Sequence, residues 1–262
     1  MALARMSKPN SIRISICYYL SLLFFALGVI VLNLGAVLFQ LIPRTTRTRQ
    51  YGQMLFRKWL QLYLATLRYM GVFSVRWVGL DTLMALPPCV IIANHPSMLD
   101  ALILLAYLPK TVCFFKDRLA QRMLPAFSAR ILGFISNASG IDGIKMGSQA
   151  IREGYRILIF PEGTRTPVGG VDALKSAYAF IAMQTGAPVA ILTIDVNSYA
   201  MGKTHNLWIP PPLPIDFTIT FRLSMSLESD KNLRSLHETV EAYYANARRS
   251  PTSAHPIDTA QS

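Results

Sequence analysis

Two short clusters of polar residues could carry chemistry in this 262-residue chain, because each follows an apolar run typical of a buried strand. The first cluster is Asn94-His95, with Asp100 shortly after it, and the second is FPEGTR, from Phe160 to Arg165. Ligands of open α/β sheets gather at the carboxyl ends of strands. We therefore expect both clusters to lie at one edge of a sheet.

His95 and Asp100 predict a base and its orienting carboxylate. In an uninterrupted helix this spacing would place the two side chains about 140° apart. Pro96 favours an extended His95 and a helix beginning at or near the proline, so His95 can fold back over the first turn. One ring nitrogen then bonds Asp100 and the other removes a proton. No GxSxG elbow supplies a serine, so the nucleophile is expected to come from the substrate.

The FPEGTR segment is suited to binding a phosphate. Gly163 permits close approach of the backbone, and the guanidinium of Arg165 can grip a phosphate through two hydrogen bonds. The residues alone leave simpler interpretations open. His95 could be a satisfied capping or core residue, and the second cluster could be a β-turn with a surface salt bridge between Glu162 and Arg165.

Short strands alternate with helical stretches beyond Phe73, which predicts an α/β fold with a mixed, largely parallel sheet flanked by helices. The predicted strands are 74–78, 89–93, 111–115, 157–160, 188–194 and 216–223. The predicted helices are 97–108, 146–153 and 173–184. We divide the chain into an N-terminal membrane anchor with an interfacial helix (1–73), a catalytic domain (74–249) and a polar tail (250–262).

The run from Ile14 to Phe39 has no charged residue and is long enough to span a bilayer. We interpret it as a retained anchor, since the apolar core of a signal peptide is shorter and ends at small residues. The larger basic cluster follows the run, which places the rest of the chain in the cytoplasm, at the inner membrane. A re-entrant hairpin, broken near Gly28, Asn33 or Gly35, is the alternative.

The next apolar segment, Met54 to Phe73, reads as a helix in which Leu55, Trp59, Leu62 and Leu67 share an apolar side. After a hydrophobic anchor it is expected to lie at the membrane interface. An ordinary helix that faces the protein core is the alternative.

Composition favours a membrane or phosphorylated ligands as partner. Charged residues make up 15% of the chain and hydrophobic residues 52%, which excludes a disordered protein. The net charge of +12 suits an anionic membrane surface, and we expect no nucleic-acid partner. Cys17, Cys89 and Cys113 have neither metal-ligand nor disulfide spacing, so three reduced, mostly buried thiols are expected.

Together the two clusters resemble the NHxxxxD and FPEGTR blocks of the glycerolipid acyltransferases, specifically the 1-acylglycerol-3-phosphate (lysophosphatidate) acyltransferase family. The resemblance covers about Val90 to Ile194. Lys116 and Leu119, with Leu124-Pro125 after them, resemble the Lys-containing segment between the blocks.

The resemblance implies transfer of a fatty acyl group from acyl-CoA or acyl carrier protein to the hydroxyl of a lysophospholipid, giving phosphatidate from lysophosphatidate. It implies His95 as general base and Asp100 as its orienting partner. The implied substrate-binding residues are Asn94, Lys116, Glu162, Gly163, Thr164 and Arg165. No metal or prosthetic group is implied, and the bilayer, the acceptor lipid and the acyl donor are the expected partners.

Three departures from the family pattern bear on the acceptor. Ser136-Asn137-Ala138-Ser139 stands where an arginine is common, Lys175-Ser176-Ala177 where a basic residue precedes Gly-Ala, and the block at Pro188 has one proline instead of two. A different lipid acceptor or a non-catalytic lipid-binding homologue are therefore the alternatives, and a lipid hydrolase is a third.

Overall fold

The structure is a computed structural model that describes residues 8–39, 46–115, 134–163, 174–197, 208–225 and 233–249. Lys116, Thr164 and Arg165 lie outside these ranges, and so does the predicted polar tail.

The described strands form one sheet in the order β1-β7-β6-β2-β5-β3-β4, in which the β6–β7 pair is antiparallel and the other pairs are parallel. This confirms the predicted α/β class. The predicted strands are found with ends shifted by at most two residues, and β4 was not predicted. The bounds are β1 (Phe73–Val78), β2 (Val90–Ala93), β3 (Thr111–Phe115), β4 (Ile135–Ser136), β5 (Arg156–Ile159), β6 (Val189–Val196) and β7 (Ile215–Met225).

Helices cover both faces of the sheet. Their bounds are α1 (Lys8–Phe39), α2 (Thr46–Tyr69), α3 (Leu80–Ala85), α4 (Leu99–Tyr107), α5 (Gly140–Arg152), α6 (Ala177–Thr185) and α7 (Leu233–Arg249). The core on one face joins α2 and α4 to the sheet, and the core on the other joins α5, α6 and α7 to it. Of these helices, α5 begins six residues before its predicted start, and α3 and α7 were not predicted.

The central strand β2 is buried on both sides. Ile91 and Ala93 point into the core beneath α2 and α4, whereas Val90 and Ile92 point into the core beneath α5 to α7. Its four residues are therefore all apolar, as is typical of a parallel strand between two helical layers.

Helix α1 is unbroken over 32 residues, about 48 Å at 1.5 Å per residue. It passes through Gly28, Asn33 and Gly35 without interruption, so the break required by a re-entrant hairpin is absent from Lys8–Phe39. Within the described part of the chain, α1 is the helix long and apolar enough to cross a membrane, with a mean hydropathy of 2.3 over Ser15–Gly35.

Helix α2 lies between α1 and the sheet, and its predicted apolar side was partly wrong. Leu60 and Leu67 face the core, whereas Leu55 and Leu62, predicted on the same side as Leu67, are exposed. Trp59 packs against α1 at Gly28, where an added Cβ would come within 2.2 Å of the indole ring. The helix thus has both a core face and an exposed apolar face.

Candidate active site

The two polar clusters meet because β2 and β5 are parallel neighbours. Ile92 pairs with Ile159, so the residues that follow each strand emerge side by side. The His95 ring stacks on the Phe160 ring, with centroids 4.2 Å apart and an angle of 22° between the planes. The expectation that both clusters share one sheet edge is confirmed.

Asp100 lies in the first turn of α4 and contacts His95. Its Oδ2 is 2.9 Å from Nδ1 of His95 and also accepts a hydrogen bond of 2.7 Å from the backbone N–H of Ser97. Since Ser97 precedes Asp100 by three residues, the pair follows the spacing of a capping box, a signal that the sequence carried and that sequence reasoning missed.

Burial raises the pKa of Asp100 above its ordinary value, because a carboxylate loses hydration in an apolar interior. The bonds from His95 and Ser97 act in the opposite direction and favour the ionised form. With Asp100 ionised, Nδ1 of His95 donates to it and Nε2 carries the lone pair. The carboxylate therefore fixes the tautomer that can take a proton from a substrate.

Asn94 fixes the end of β2. Its side-chain oxygen accepts from the backbone N–H of Ile194 at 2.7 Å, and its Nδ2 donates to the carbonyl of Ile194 at 2.8 Å. These bonds tie β2 to β6 directly beside His95. The observed contacts are positioning contacts, and the predicted contact of Asn94 with substrate stays a prediction.

The second cluster begins with a tight turn. The N–H of Gly163 donates to the carbonyl of Phe160 at 2.9 Å, and Gly163 has a φ of +67°, a conformation that favours glycine. The alternative interpretation placed Glu162 in a surface salt bridge. Glu162 is not at the surface, because it is only 4% exposed. The position of Arg165 lies outside the described residues.

Lys175 packs across the turn. Its N–H donates to the carbonyl of Pro161 at 2.7 Å, and its Nζ lies 3.0 Å from where a Cβ on Gly163 would be. The predicted close approach at Gly163 is therefore made, within the described chain, by a lysine side chain. Sequence reasoning noted the segment Lys175-Ser176-Ala177 as a departure from the family pattern and assigned Lys175 no role.

A cavity of about 240 Å³ opens beside this turn. Phe160, Gly163 and Lys175 line it, together with Ser136 of β4 and residues at the start of α6. Phe160 thus contacts both the base and the cavity. The arrangement brings together a histidine base, a buried carboxylate, a bare turn and a cation, which suits proton removal from an anionic substrate.

Comparisons with known proteins cover the part of the chain that contains this site. A family model described as Acyltransferase matches residues 74–195. The 1-acyl-sn-glycerol-3-phosphate acyltransferase of Pseudomonas aeruginosa is 25% identical over 194 residues, 72% of each protein. The human 1-acyl-sn-glycerol-3-phosphate acyltransferase beta is 29% identical over 109 residues, and the chain covers 39% of its length.

The fold also matches a solved structure. The 1-acyl-sn-glycerophosphate acyltransferase PlsC from Thermotoga maritima superposes with a TM-score of 0.68 over 95% of this chain and 100% of that one, at 18% sequence identity. That likeness concerns the fold, whereas the family model and the curated relatives bear on the sequence itself. Residues 74–195 of this chain therefore match the Acyltransferase family model, and the chain resembles 1-acyl-sn-glycerol-3-phosphate acyltransferases in sequence.

Proposed function

We propose that this chain is a membrane-bound O-acyltransferase. It moves a fatty acyl group from an acyl thioester, acyl-CoA or acyl carrier protein, to the hydroxyl of a lysophospholipid. The proposed acceptor is lysophosphatidate and the product phosphatidate. The observation that carries the proposal is the 2.9 Å contact between His95 and Asp100 at the end of β2.

In the proposed reaction, Nε2 of His95 takes the proton of the acceptor hydroxyl as its oxygen attacks the thioester carbonyl. The new C–O bond forms, the C–S bond breaks, and the leaving sulfur takes the proton from the imidazolium. Asp100 stabilises the positive charge that His95 carries between these two transfers. The substrate alcohol is the nucleophile, so no covalent acyl-enzyme is needed.

The proposed acceptor is anionic, which the cavity supports. Lys175 lies at the cavity wall beside Gly163 and forms no ion pair with any other described residue. Arg165, Thr164 and Lys116 are proposed to contribute as the family resemblance implies. Names of the curated relatives specify the same acceptor, 1-acyl-sn-glycerol-3-phosphate.

The proposed location is the inner membrane, with the catalytic domain facing the cytoplasm. Helix α1 exposes large apolar side chains along its length. Neither α1 nor α2 contains an acidic residue, whereas both contain basic ones. Apolar surface next to positive charge is what an anionic bilayer attracts.

The test is turnover by the purified full-length protein. Lysophosphatidate is supplied with labelled acyl-CoA in one arm and labelled acyl carrier protein in the other, and phosphatidate is measured. His95→Ala should lower kcat by about 10² to 10⁴-fold, the usual contribution of a general base. The matched control is His237→Ala, because the His237 side chain is 22% exposed against 19% for His95 and it bonds Tyr178, away from the site.

Equal losses in the two histidine variants would contradict the mechanism. Lipid binding without product, in both donor arms and with several lysophospholipids, would favour the non-catalytic homologue. Release of free fatty acid in the absence of an acceptor would favour a hydrolase.

A further inference from the structure

Trp208 and Ile209 are two large apolar residues that lie side by side on the protein surface. Trp208 is 72% exposed and Ile209 is 57% exposed. They precede a proline-rich connector that leads into β7. Exposed apolar side chains are common singly, whereas neighbouring ones next to a further apolar surface indicate a binding partner.

That further surface is the outward face of α1. The Tyr19 hydroxyl donates a hydrogen bond of 2.9 Å to the carbonyl of Trp208, across 189 residues of sequence. Tyr19 belongs to a row of exposed apolar residues on α1 that also includes Ile16, Leu20, Leu23 and Leu27. The Trp208–Ile209 pair is therefore continuous with the apolar face of α1.

The charges around this surface select a partner. Neither α1 nor α2 contains an acidic residue, and four of their basic residues are exposed: Arg13, Arg47, Lys58 and Arg68. Arg49 instead pairs with Glu153, and Arg57 donates to the carbonyl of Ala106. Arg13 is exposed and lies six residues before Tyr19 on the same helix. A protein partner would need a matching acidic surface, whereas an anionic bilayer supplies both negative headgroups and an apolar interior.

We propose that Trp208 and Ile209 insert into the interfacial layer of an anionic bilayer and form a second membrane contact beside α1. This inference rests on the proposed function, since it takes α1 as attached to the membrane. Tryptophan is favoured at that depth because its ring is apolar and its N–H can reach a polar partner.

The second contact would fix the distance between the catalytic base and the membrane surface. The connector after Ile209 ends at Pro214, whose carbonyl accepts from Nδ2 of Asn197 at 3.1 Å. Asn197 directly follows β6, and β6 holds Asn94, the neighbour of His95, through Ile194. The covalent chain and hydrogen bonds from the Asn197 and Asn94 side chains thus join Trp208 to the base. A protein attached through α1 alone could rotate, together with its sheet, about the long axis of that helix relative to the membrane. The second contact opposes this rotation.

The test uses the fluorescence of Trp208 alone. The full chain has three tryptophans, and Trp59→Phe with Trp77→Phe leaves Trp208 as the reporter. Vesicles contain equal parts of phosphatidylglycerol and phosphatidylcholine, with bromine atoms near the top of the acyl chains. We expect the emission of Trp208 to shift to shorter wavelength and to be quenched on binding. Sedimentation with vesicles but no shift and no quenching would overturn this inference and leave the membrane-bound enzyme intact.

A second measurement asks whether the contact matters for turnover. Ile209→Ser should weaken vesicle binding by about tenfold, because it removes one inserted aliphatic side chain, and should raise KM for vesicle-borne lysophosphatidate. The kcat with a short-chain, water-soluble acceptor should be unchanged. Met183→Ser removes an exposed apolar side chain from α6, which packs on the other face of the sheet from α1 and α2, and should change neither.

Equal vesicle binding by Ile209→Ser and the unmodified protein would overturn the proposal even if Trp208 were quenched. If the unmodified protein did not bind vesicles at all, the proposed membrane attachment would fail together with this inference.

Discussion

Helix α1 and the site at the ends of β2 and β5 distribute polarity in opposite ways. Helix α1 exposes Leu23 and Leu27, whereas the site buries Asp100 and Glu162. In water both arrangements raise the free energy of the folded protein. Exposed apolar side chains forgo the gain from burial, and buried carboxylates lose hydration. The difference indicates that the two regions have different surroundings. A lipid phase can cover α1, and hydrogen bonds from His95 and Ser97 hold Asp100 inside the protein.

The largest expected effect comes from removing the negative charge of Asp100 in the polar site. Asp100→Asn keeps the size of the side chain but no longer favours the imidazolium, so kcat should fall by about 10² to 10⁴-fold. Asp81→Asn is the control, because Asp81 also lies in the first turn of a helix but is exposed. A kcat within the error of the unmodified enzyme would show that the buried carboxylate has no part in the reaction.

The second effect concerns the apolar side of the comparison. Leu23→Ser with Leu27→Ser removes two exposed leucines from α1 and should weaken vesicle binding by roughly a hundredfold, at about 1.5 kcal/mol for each leucine that enters lipid. The thermal unfolding midpoint in solution should change little. The control double variant, Val78→Ser with Met183→Ser, also lacks two exposed apolar side chains. Its vesicle binding should equal that of the unmodified protein. Equal vesicle binding by the two double variants would mean that α1 is not the membrane-facing surface.

A smaller effect tests how α1 is held on the protein. Gly28→Ala places a methyl group against Trp59 and should destabilise the α1–α2 contact by about 1 to 3 kcal/mol. Gly35→Ala, on the same helix with nothing within 4 Å of the added Cβ, should stabilise by up to about 1 kcal/mol through helix propensity. The measurement is the unfolding midpoint of each variant in the same detergent. Opposite signs are expected, and a stabilising Gly28→Ala would place α1 elsewhere.

The last effect is absent at neutral pH, appears only in alkaline solution and concerns two thiols in the sheet region. Burial raises the pKa of Cys89 to about 11, an effect that Arg156 partly offsets, and raises the pKa of Cys113 to about 12. Unfolding returns both thiols to a pKa near 9, so above that pH the folded state binds more protons than the unfolded state. The contribution of the two thiols to stability should be constant below pH 9 and should then fall by about 1.4 kcal/mol per pH unit for each thiol, up to pH 11 for Cys89 and pH 12 for Cys113.

The alanine double variant of Cys89 and Cys113 provides the comparison for that slope. Its unfolding free energy should be lower at neutral pH because of the lost packing, but it should decline less steeply above pH 9. Parallel curves for the two proteins would contradict the assignment.

The parts of the site that sequence reasoning predicted are local. Pro96 sets the chain direction between His95 and Asp100, and the turn from Phe160 to Gly163 closes within four residues. Each prediction needed only short-range geometry. The strands were also predictable, because buried parallel strands are short apolar runs with clear ends.

The parts that were not predicted depend on distant contacts or weak patterns. The approach of Lys175 to Gly163 and the stacking of Phe160 on His95 require the assembled sheet. Strand β4 has two residues, too few for a pattern. Helix α7 could have been found, because Leu236, Val240 and Tyr244 recur at helical spacing and are buried.

The bonds between Asn94 and Ile194 have a consequence for biosynthesis. They span 100 residues, so during translation His95 leaves the ribosome long before the strand that fixes its neighbour has been made. Helix α1 is the first described element to emerge, and N-terminal segments can act before the rest of a chain folds. The nascent chain therefore stays catalytically incomplete until Ile194 has been synthesised, whereas α1 is exposed from the start of translation.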